Sequence, residues 1–421
     1  MSIRHCAVFT NNRSDKAGLI SRLLEGPLPQ GFSSLEGKRG VLFSKLELDR
    51  FIEEEVRHDQ KVLTQGTRQS LQSMSSGERK WALLRHLLAL EPDYLVLDNP
   101  FDNLDSTFQQ TFKNLLAERS DRILMVLLLS RRNDLVPFIS RHAFLEGDRL
   151  LYLNNLGELA QYLPTGKGPF EGEIPAAPEA RASMTDPLVE LKKVSVSYEG
   201  KPILKDIDWK IRPGEFWQLT GRNGSGKTTV LSMITGDNPK GYGQELYLFG
   251  RRKGSGESVW EIKRNIGYFT PAMIDRFGGY HPLEHMLISG LTDSIGLYVK
   301  PTEAQVRIAR QWLQLLGLNR YRNTYFHDLG AGLQRLVMCA RAMIKHPLLL
   351  ILDEPTAGLD DESAALFVSL VNKIGSESQT SIIYVSHREE PGLNPQMVFH
   401  LENQGQGSRG WVVRPAGQAM V

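Results

Sequence analysis

The chain has 421 residues, a length that allows two or three domains, each large enough to bury its own core. Its 50 basic and 48 acidic residues give a net charge of +2, so the bulk charge gives no strong signal for nucleic acid as a partner. Only Cys6 and Cys339 are present, which excludes a disulfide scaffold and indicates a cytoplasmic protein.

The N-terminal segment "MSIRHCAVFTNN" lacks the charged and apolar regions of a secretory signal. Apolar runs along the chain are strand-sized and shorter than the roughly 20 residues that a membrane-spanning helix needs. We therefore expect a cytoplasmic location, at most peripheral to the inner face of the membrane. Any role at the membrane then requires another subunit.

The first candidate functional segment is "TNNRSDKA" at 10–17, which has the outline of a phosphate-binding loop. Its Lys16 is in the expected place, but non-glycine residues stand where such a loop needs glycine. Asp15 would put a negative charge near phosphate, and Ala17 has no hydroxyl for a metal ion. The segment predicts weak nucleotide binding or none.

An internal repeat relates the two halves of the chain. The segment "DYLVLDNPFDNLD" at 93–105 matches "LLLILDEPTAGLD" at 348–360 position by position. A glycine-containing motif lies 23 positions before the aspartate of each segment, "MSSGE" at 74–78 and "LGAGL" at 329–333. The repeat predicts two α/β units in which strands of a parallel sheet alternate with helices.

A segment rich in proline, glycine and alanine separates the two halves and has no apolar periodicity, which is typical of an exposed linker. We predict a degenerate first domain at 1–163, a linker at 164–187 and a complete second domain at 188–421.

The second half contains the complete pattern G-x-x-x-x-G-K-T in "GRNGSGKT" at 221–228. An apolar strand precedes it and a helix follows it, which is the context that a phosphate loop requires. Its backbone N–H groups would bind phosphate oxygens, Lys227 would neutralise the β and γ phosphates, and Thr228 would ligate Mg²⁺. The nucleotide-binding residues predicted here are Gly221, Asn223, Gly224, Ser225, Gly226, Lys227, Thr228 and Thr229.

Further polar and aromatic residues extend this prediction from binding to hydrolysis of ATP. Asp353, at the end of a buried strand, would hold Mg²⁺, and Glu354 beside it would orient and deprotonate a water molecule. His387 would approach the γ phosphate or that water, although a histidine in this position is often structural. Tyr198 would stack on adenine, the alternative being a core tyrosine. Lys227, Glu354 and His387 are thus the predicted catalytic residues.

Together, the G-x-x-x-x-G-K-T loop, the glycine signature, D-E-P, G-L-D and the later S-H resemble the nucleotide-binding cassettes of ABC proteins. The resemblance covers nearly the whole chain, as two cassettes in tandem, the first of them shortened at its N-terminus. It implies two P-loop NTPase domains, each with a RecA-like core and a helical subdomain. Within the family, residues 236–269 are similar to the ModF type, tandem cassettes associated with molybdenum transport.

The family resemblance also implies head-to-tail pairing of cassettes, within the chain or between chains, with each ATP between one phosphate loop and the partner's signature. One site would combine the second phosphate loop with Ser75 and Gly77, whose hydroxyl and backbone N–H would face the γ phosphate. The parts of the other site would be Lys16, Ala17, Asp98, Asn99 and Gly330. Because the asparagine amide has no useful proton affinity, we expect hydrolysis only at the first site.

Two functions follow from this reading. The first is an ATPase that drives or regulates a membrane transporter through a permease subunit, with molybdate or a related oxyanion as the cargo. The alternative is a slow nucleotide-gated binding module that acts on a soluble partner such as a ribonucleoprotein. We expect the basic stretch at 250–257 to be a solvated turn rather than a nucleic-acid contact.

Overall fold

A computed structural model describes residues 5–65, 69–162, 170–176, 185–387 and 390–413. It divides into two compact units, Met1–Gly166 with Gly358–Glu362, and Lys167–Ala357 with Ser363–Val421. The predicted linker at 164–187 lies outside the described residues except for 170–176 and 185–187. None of the described helices combines the length and apolar character that crossing a membrane requires.

The first unit alternates strands and helices. In chain order its elements are β1 (Cys6–Phe9), α1 (Lys16–Glu25), β2 (Gly40–Phe43), α2 (Lys45–His58), α3 (Ser76–Ala89), β3 (Tyr94–Asp98), α4 (Ser106–Arg119), β4 (Leu124–Leu129), β5 (Arg141–Glu146), β6 (Arg149–Leu153) and α5 (Leu159–Tyr162).

These strands form one six-stranded sheet in the order β2-β3-β4-β1-β5-β6. Neighbouring strands from β2 to β5 are parallel, and β6 is antiparallel to β5. The central strands read as continuous apolar runs, "YLVLD" and "LMVLLL", because helices cover both faces of a parallel sheet. The carboxyl ends of β1, β3 and β4 therefore bring 10–16, 98–99 and 130 to one edge of the sheet.

The second unit has more strands than the first. Its elements are β7 (Val189–Tyr198), β8 (Lys201–Ile211), β9 (Phe216–Gly221), α6 (Lys227–Ile234), β10 (Glu245–Leu248), β11 (Arg251–Arg252), α7 (Val259–Arg264), β12 (Ile266–Phe269), α8 (Leu283–Ser289), α9 (Glu303–Leu315), α10 (Ala331–Met343), β13 (Leu349–Asp353), α11 (Asp361–Glu377), β14 (Ser381–Val385), β15 (Met397–Asn403) and β16 (Ser408–Val413).

The ten-stranded sheet of the second unit has the order β11-β10-β7-β8-β16-β15-β9-β14-β13-β12. Its last six strands, read from β12 to β16, repeat the order of the whole first sheet. The strands β7, β8, β10 and β11 have no counterpart among the described residues of the first unit. The prediction of two α/β units with a shortened first one is thus confirmed, with the addition that both sheets are mixed rather than purely parallel.

Three helices of the second unit pack together in an apolar core that also includes residues of β9, β12, β13 and β14. α9 buries Ile308, Ala309, Trp312 and Leu313, a spacing that puts these side chains on one helix face. They pack with the buried faces of α8 and α10. This cluster corresponds to the helical subdomain that the sequence predicts.

Most residues of the basic stretch at 250–257 are exposed, in agreement with its prediction as a solvated turn, but two of its charged side chains are not. The side chains of Lys253 and Glu257 are buried, with exposed fractions of 0% and 5%, and their charged atoms lie 3.7 Å apart. The Glu257 carboxylate also accepts a hydrogen bond from the backbone N–H of Gly254 at 2.7 Å. One of the three basic residues of this stretch is therefore structural, because Lys253 is not presented to a partner.

Candidate active site of the second unit

The loop between β9 and α6 has the backbone shape of a phosphate cradle. Gly224 and Gly226 have φ values of +78° and +89°, in the left-handed region that favours glycine. A Cβ atom on Gly226 would also come within 2.6 Å of a methyl carbon of Leu204. Glycine is therefore required here for backbone conformation and for space.

Lys227 begins α6 and is buried. Its ammonium group donates to the carbonyl oxygens of Gly221 at 2.7 Å and Arg222 at 3.1 Å. The hydroxyl of Ser225 is buried and has no hydrogen-bond partner within the described part of the chain. Because the N–H groups of a first helical turn also lack intrahelical partners, this helix start presents donors to an anion.

The phosphate loop opens into a cleft of about 350 Å³, which is within the size range of small-molecule sites. The residues that line it are Tyr198, Ile203, Asn223, Gly224, Gly226, Lys227, Thr228, Thr229, Asp353 and Glu354. The structure thus brings together residues that are up to 156 positions apart in the sequence. Among the predicted residues of this unit, Gly221 and Ser225 lie in the loop behind the lining, and His387 contacts Glu354.

Asp353 stands at the carboxyl end of β13, next to the phosphate loop. Burial raises the pKa of its carboxyl group, and the neighbouring charge of Glu354 raises it further. The hydroxyl of Tyr268 donates to its Oδ2 atom at 3.2 Å, and burial next to this carboxylate raises the pKa of Tyr268. The carboxylate is therefore held in position by a neighbouring strand.

Glu354 has a φ of +50°, a conformation that a glutamate rarely adopts. Its backbone N–H donates to the carbonyl of Val385, and its carboxylate lies 2.9 Å from Nδ1 of His387. The Nε2 atom of His387 is buried and has no hydrogen-bond partner within the described ranges. The histidine thus contacts the glutamate through one nitrogen, while its other nitrogen is buried.

These groups fit MgATP. Glycine-dependent backbone donors and Lys227 suit the phosphates, and the hydroxyl of Thr228 with the carboxylate of Asp353 suits Mg²⁺, which binds few protein oxygens together with substrate phosphates. The Nε2 atom of His387, which has no partner in the described part of the chain, is a further polar atom beside Glu354.

The equivalent edge of the first unit is closed by its own side chains. The ammonium group of Lys16 lies 2.9 Å from the carboxylate of Asp98, so the only lysine of this loop is already neutralised. The carboxylate of Asp15 caps α1 by accepting from the backbone N–H of Gly18 at 2.9 Å. A carboxylate therefore stands where a phosphate would bind.

Asn99 occupies the position in the first unit that Glu354 has in the second. Its φ is +43°, and its backbone N–H donates to Leu128, as Glu354 donates to Val385. The side-chain oxygen accepts from both the N–H and the hydroxyl of Ser130, at 2.9 and 2.8 Å. A neutral amide held in this way has no function in proton transfer.

We predict that Asp15→Ala loosens the first turn of α1. Losing a helix cap typically costs about 0.5–2 kcal/mol, so hydrogen exchange at Gly18 should become about 2- to 30-fold faster. Exchange measured on the full chain by mass spectrometry tests this. Asp148→Ala, which removes an exposed carboxylate that caps no helix, should leave α1 unchanged; equal acceleration in both variants would contradict the capping role.

Ser75 and Gly77 lie at the N-terminus of α3 in the first unit. The hydroxyl of Ser75 accepts from the N–H of Glu78 at 3.3 Å, and the Glu78 carboxylate accepts from the N–H of Ser75 at 2.7 Å, which is a capping box. Burial of Gly77 against the ring of Phe108 leaves little room for a side chain. The corresponding helix of the second unit, α10, has Gly330 as its N-cap and therefore no side-chain cap.

Comparisons with known proteins agree with this geometry. The family model for the ABC transporter matches residues 204–357. ModF of Escherichia coli, an ABC transporter ATP-binding protein, is 38% identical over 338 residues, which are 78% of this chain and 69% of that protein. The chain belongs to the ABC transporter ATP-binding protein family. An uncharacterised family member of Schizosaccharomyces pombe is 32% identical over 76% of this chain and 66% of its own length.

Solved structures of ABC proteins share the fold over almost the whole chain. A model of ribosome-bound archaeal Pelota and ABCE1 matches with a TM-score of 0.66 and 15% identity, covering 98% of this chain and 75% of that one. The RNase-L inhibitor matches with a TM-score of 0.61 and 15% identity, covering 97% and 85%. At this identity the likeness shows the fold alone. The predictions of a tandem ABC protein and of an ABC-type ATPase are confirmed at the level of the family.

Tyr268 is a contact of the site that the sequence prediction does not include. It belongs to β12, which pairs with β13 in parallel, so its ring reaches Asp353 across the sheet. The "IGYF" segment immediately before a loop was a usable signal, since residues near the carboxyl ends of adjacent parallel strands meet at one edge.

Proposed function

We propose that this ABC ATPase binds MgATP in the cleft of its second unit and hydrolyses it there. The contact between Glu354 and His387 beside the cleft carries this proposal, because a carboxylate and an imidazole in contact can together accept and position protons. Both the cleft and this pair lie within one unit.

Each residue of the cleft has a proposed role in binding or hydrolysis. Lys227 and the loop N–H groups bind and orient the phosphates, and Thr228 and Asp353 hold Mg²⁺. When bound, Mg²⁺ would stabilise the negative charge that develops on the phosphate oxygens during phosphoryl transfer. Glu354 accepts a proton from the attacking water, and His387 fixes the direction of this carboxylate. Tyr198 binds adenine by stacking.

The site is completed, in this proposal, by the signature of a first unit from the same or a second chain. The N-terminus of α3 supports the idea, since the Ser75 hydroxyl and the N–H groups of a first helical turn suit a phosphate. The first unit's own loop is filled by Asp15 and by the Lys16–Asp98 pair, so its intact signature helix is explained by a role at another unit's nucleotide.

Ser75→Ala should lower kcat for ATP hydrolysis by about tenfold or more, the effect of removing one donor from developing charge. Ser258→Ala is a matched control, because Ser258 forms an equivalent capping box with Glu261 in the second unit. Steady-state hydrolysis should separate the two variants although both lose a helix cap. Unchanged hydrolysis in Ser75→Ala, or an equal loss in Ser258→Ala, would remove Ser75 from the site.

We further propose that hydrolysis energises or regulates a membrane transporter through a permease subunit. The names of the two relatives at 38% and 32% identity support this, but the chain spans only about two thirds of their length. By resemblance to the ModF type, molybdate or a related oxyanion is the proposed cargo. Co-purification with a membrane permease supports transport, whereas salt-sensitive retention on RNA supports the alternative of a nucleotide-gated binding module.

A further inference from the structure

Asn238 is a buried polar residue with contacts to three segments around the nucleotide cleft, and none of the roles above uses it. Its side-chain NH₂ group donates to the hydroxyl of Tyr198 at 2.8 Å and to the hydroxyl of Ser232 at 3.0 Å. Its side-chain oxygen accepts from the backbone N–H of Lys240 at 3.0 Å. One amide thus uses two donor hydrogens and an acceptor.

These contacts connect the two ends of the proposed nucleotide site. Ser232 belongs to α6, the helix whose first turn carries the phosphate-binding Lys227. The backbone N–H of Asn238 also donates to the carbonyl oxygen of Ser232 at 2.9 Å. Tyr198 ends β7 and lines the same cleft as Lys227. A hydrogen-bonded path therefore runs from the phosphate helix through the amide to the aromatic ring.

The ring of Tyr198 needs such a restraint because it is 41% exposed and stands at the end of a strand. The ammonium group of Lys240 lies 5.8 Å from the ring centroid, and its backbone is held by the same amide. Without the bond to its hydroxyl, the ring would be free to change its orientation. Stacking requires a defined ring plane, so lost orientation lowers affinity for the base.

We propose that Asn238 is a positioning residue that fixes the Tyr198 ring relative to the phosphate helix and so sets the affinity for the adenine base. The inference rests on the proposed function, since it requires ATP in this cleft. It predicts an effect on the base and none on the triphosphate. Asn238 touches neither group and acts through the tyrosine hydroxyl.

The test compares Asn238→Ala, Tyr198→Phe and the double variant in the full chain. Each single variant should raise KM for ATP by about three- to tenfold and leave kcat within twofold, because stacking is weakened while the catalytic groups remain. Since both changes break the same hydrogen bond, the double variant should have the KM of either single one. Inorganic tripolyphosphate, which has no base, should inhibit all variants with the wild-type inhibition constant.

A purely structural role gives other results. If Asn238→Ala weakened tripolyphosphate and ATP equally, or if the two single effects multiplied in the double variant, the amide would not act through the ring. An unchanged KM in Asn238→Ala would also overturn the inference. Asn155→Ala is the matched control, because Asn155 caps a similar short turn in the first unit and should leave KM unchanged.

Failure of this inference is distinguishable from failure of the proposed function. Wild-type affinity for ATP after Lys227→Ala would show that the nucleotide does not bind in this cleft. A strong loss with Lys227→Ala, together with no effect of Asn238→Ala, would leave the site intact and reject only the positioning role.

Discussion

Replacing Glu354 with glutamine should reduce kcat for ATP hydrolysis by about 10²- to 10⁴-fold, the usual contribution of a general base. The amide keeps the size of the carboxylate but does not accept the proton of the attacking water. Binding of ATP should persist, because the phosphate cradle and Lys227 are unchanged. Steady-state hydrolysis measured together with nucleotide retention on the purified chain separates the two effects.

Asn99→Gly is the matched variant in the first unit. It removes the side chain at the position equivalent to Glu354, and glycine accepts the φ of +43° without strain, as alanine would not. Hydrolysis should stay within about twofold of the wild type, because the Asn99 amide accepts hydrogen bonds from Ser130 and has no role in proton transfer. Equal losses in the two variants would contradict the proposal of a single hydrolytic site.

The sequence predicts the second unit well because its site depends on local spacing. The loop from Gly221 to Thr228 encodes its own conformation, with glycines where φ is positive and a helix that begins at the lysine. The repeat with a fixed interval of 23 positions likewise predicts two related α/β units, and the structure has the same order of six strands in both sheets. Such features need no knowledge of contacts between distant segments.

Contacts that cross the sheet or join separate loops could not be read in the same way. Tyr268 reaches Asp353 only because β12 and β13 are neighbours, and Asn238 reaches Tyr198 across 40 positions of the chain. The chemistry of each side chain predicts that Glu354 and His387 both act near the attacking water. It does not predict that the two side chains lie 2.9 Å apart. Strand order and loop direction decide these pairs, and both depend on the whole packed unit.

In the first unit, too, the sequence does not predict which partners the polar side chains contact. The sequence predicts that Asp15 weakens phosphate binding by adding a negative charge, whereas the structure gives the same carboxylate a local partner as the cap of α1. Lys16 is predicted as the remaining part of a weak site, yet it is paired with Asp98. The substitutions therefore form an alternative set of contacts, in which side chains replace the ligand that the loop no longer binds.

This alternative set of contacts leads to an expected stoichiometry of one nucleotide per chain. Lys227→Ala should weaken ATP binding by about 30- to 1,000-fold, the loss typical of removing one partner of a buried charged pair. Lys16→Met combined with Asp98→Asn should leave the stoichiometry and affinity unchanged, since that pair bonds internally and its joint replacement leaves no charge unpaired.

Equilibrium dialysis with labelled ATP and Mg²⁺ measures both quantities on the full chain. Because Lys227 holds the loop carbonyls of Gly221 and Arg222, the circular-dichroism spectrum and melting temperature of its variant must also be compared with the wild type, so that lost binding is not lost folding. Two nucleotides bound to the wild-type chain, one of them lost in the Lys16→Met and Asp98→Asn variant, would contradict the conclusion that side chains fill the first loop. If the wild-type chain binds one nucleotide and only the Lys227→Ala variant loses it, the binding energy comes from the second unit. The loop of that unit keeps the glycines and the lysine that phosphate binding requires.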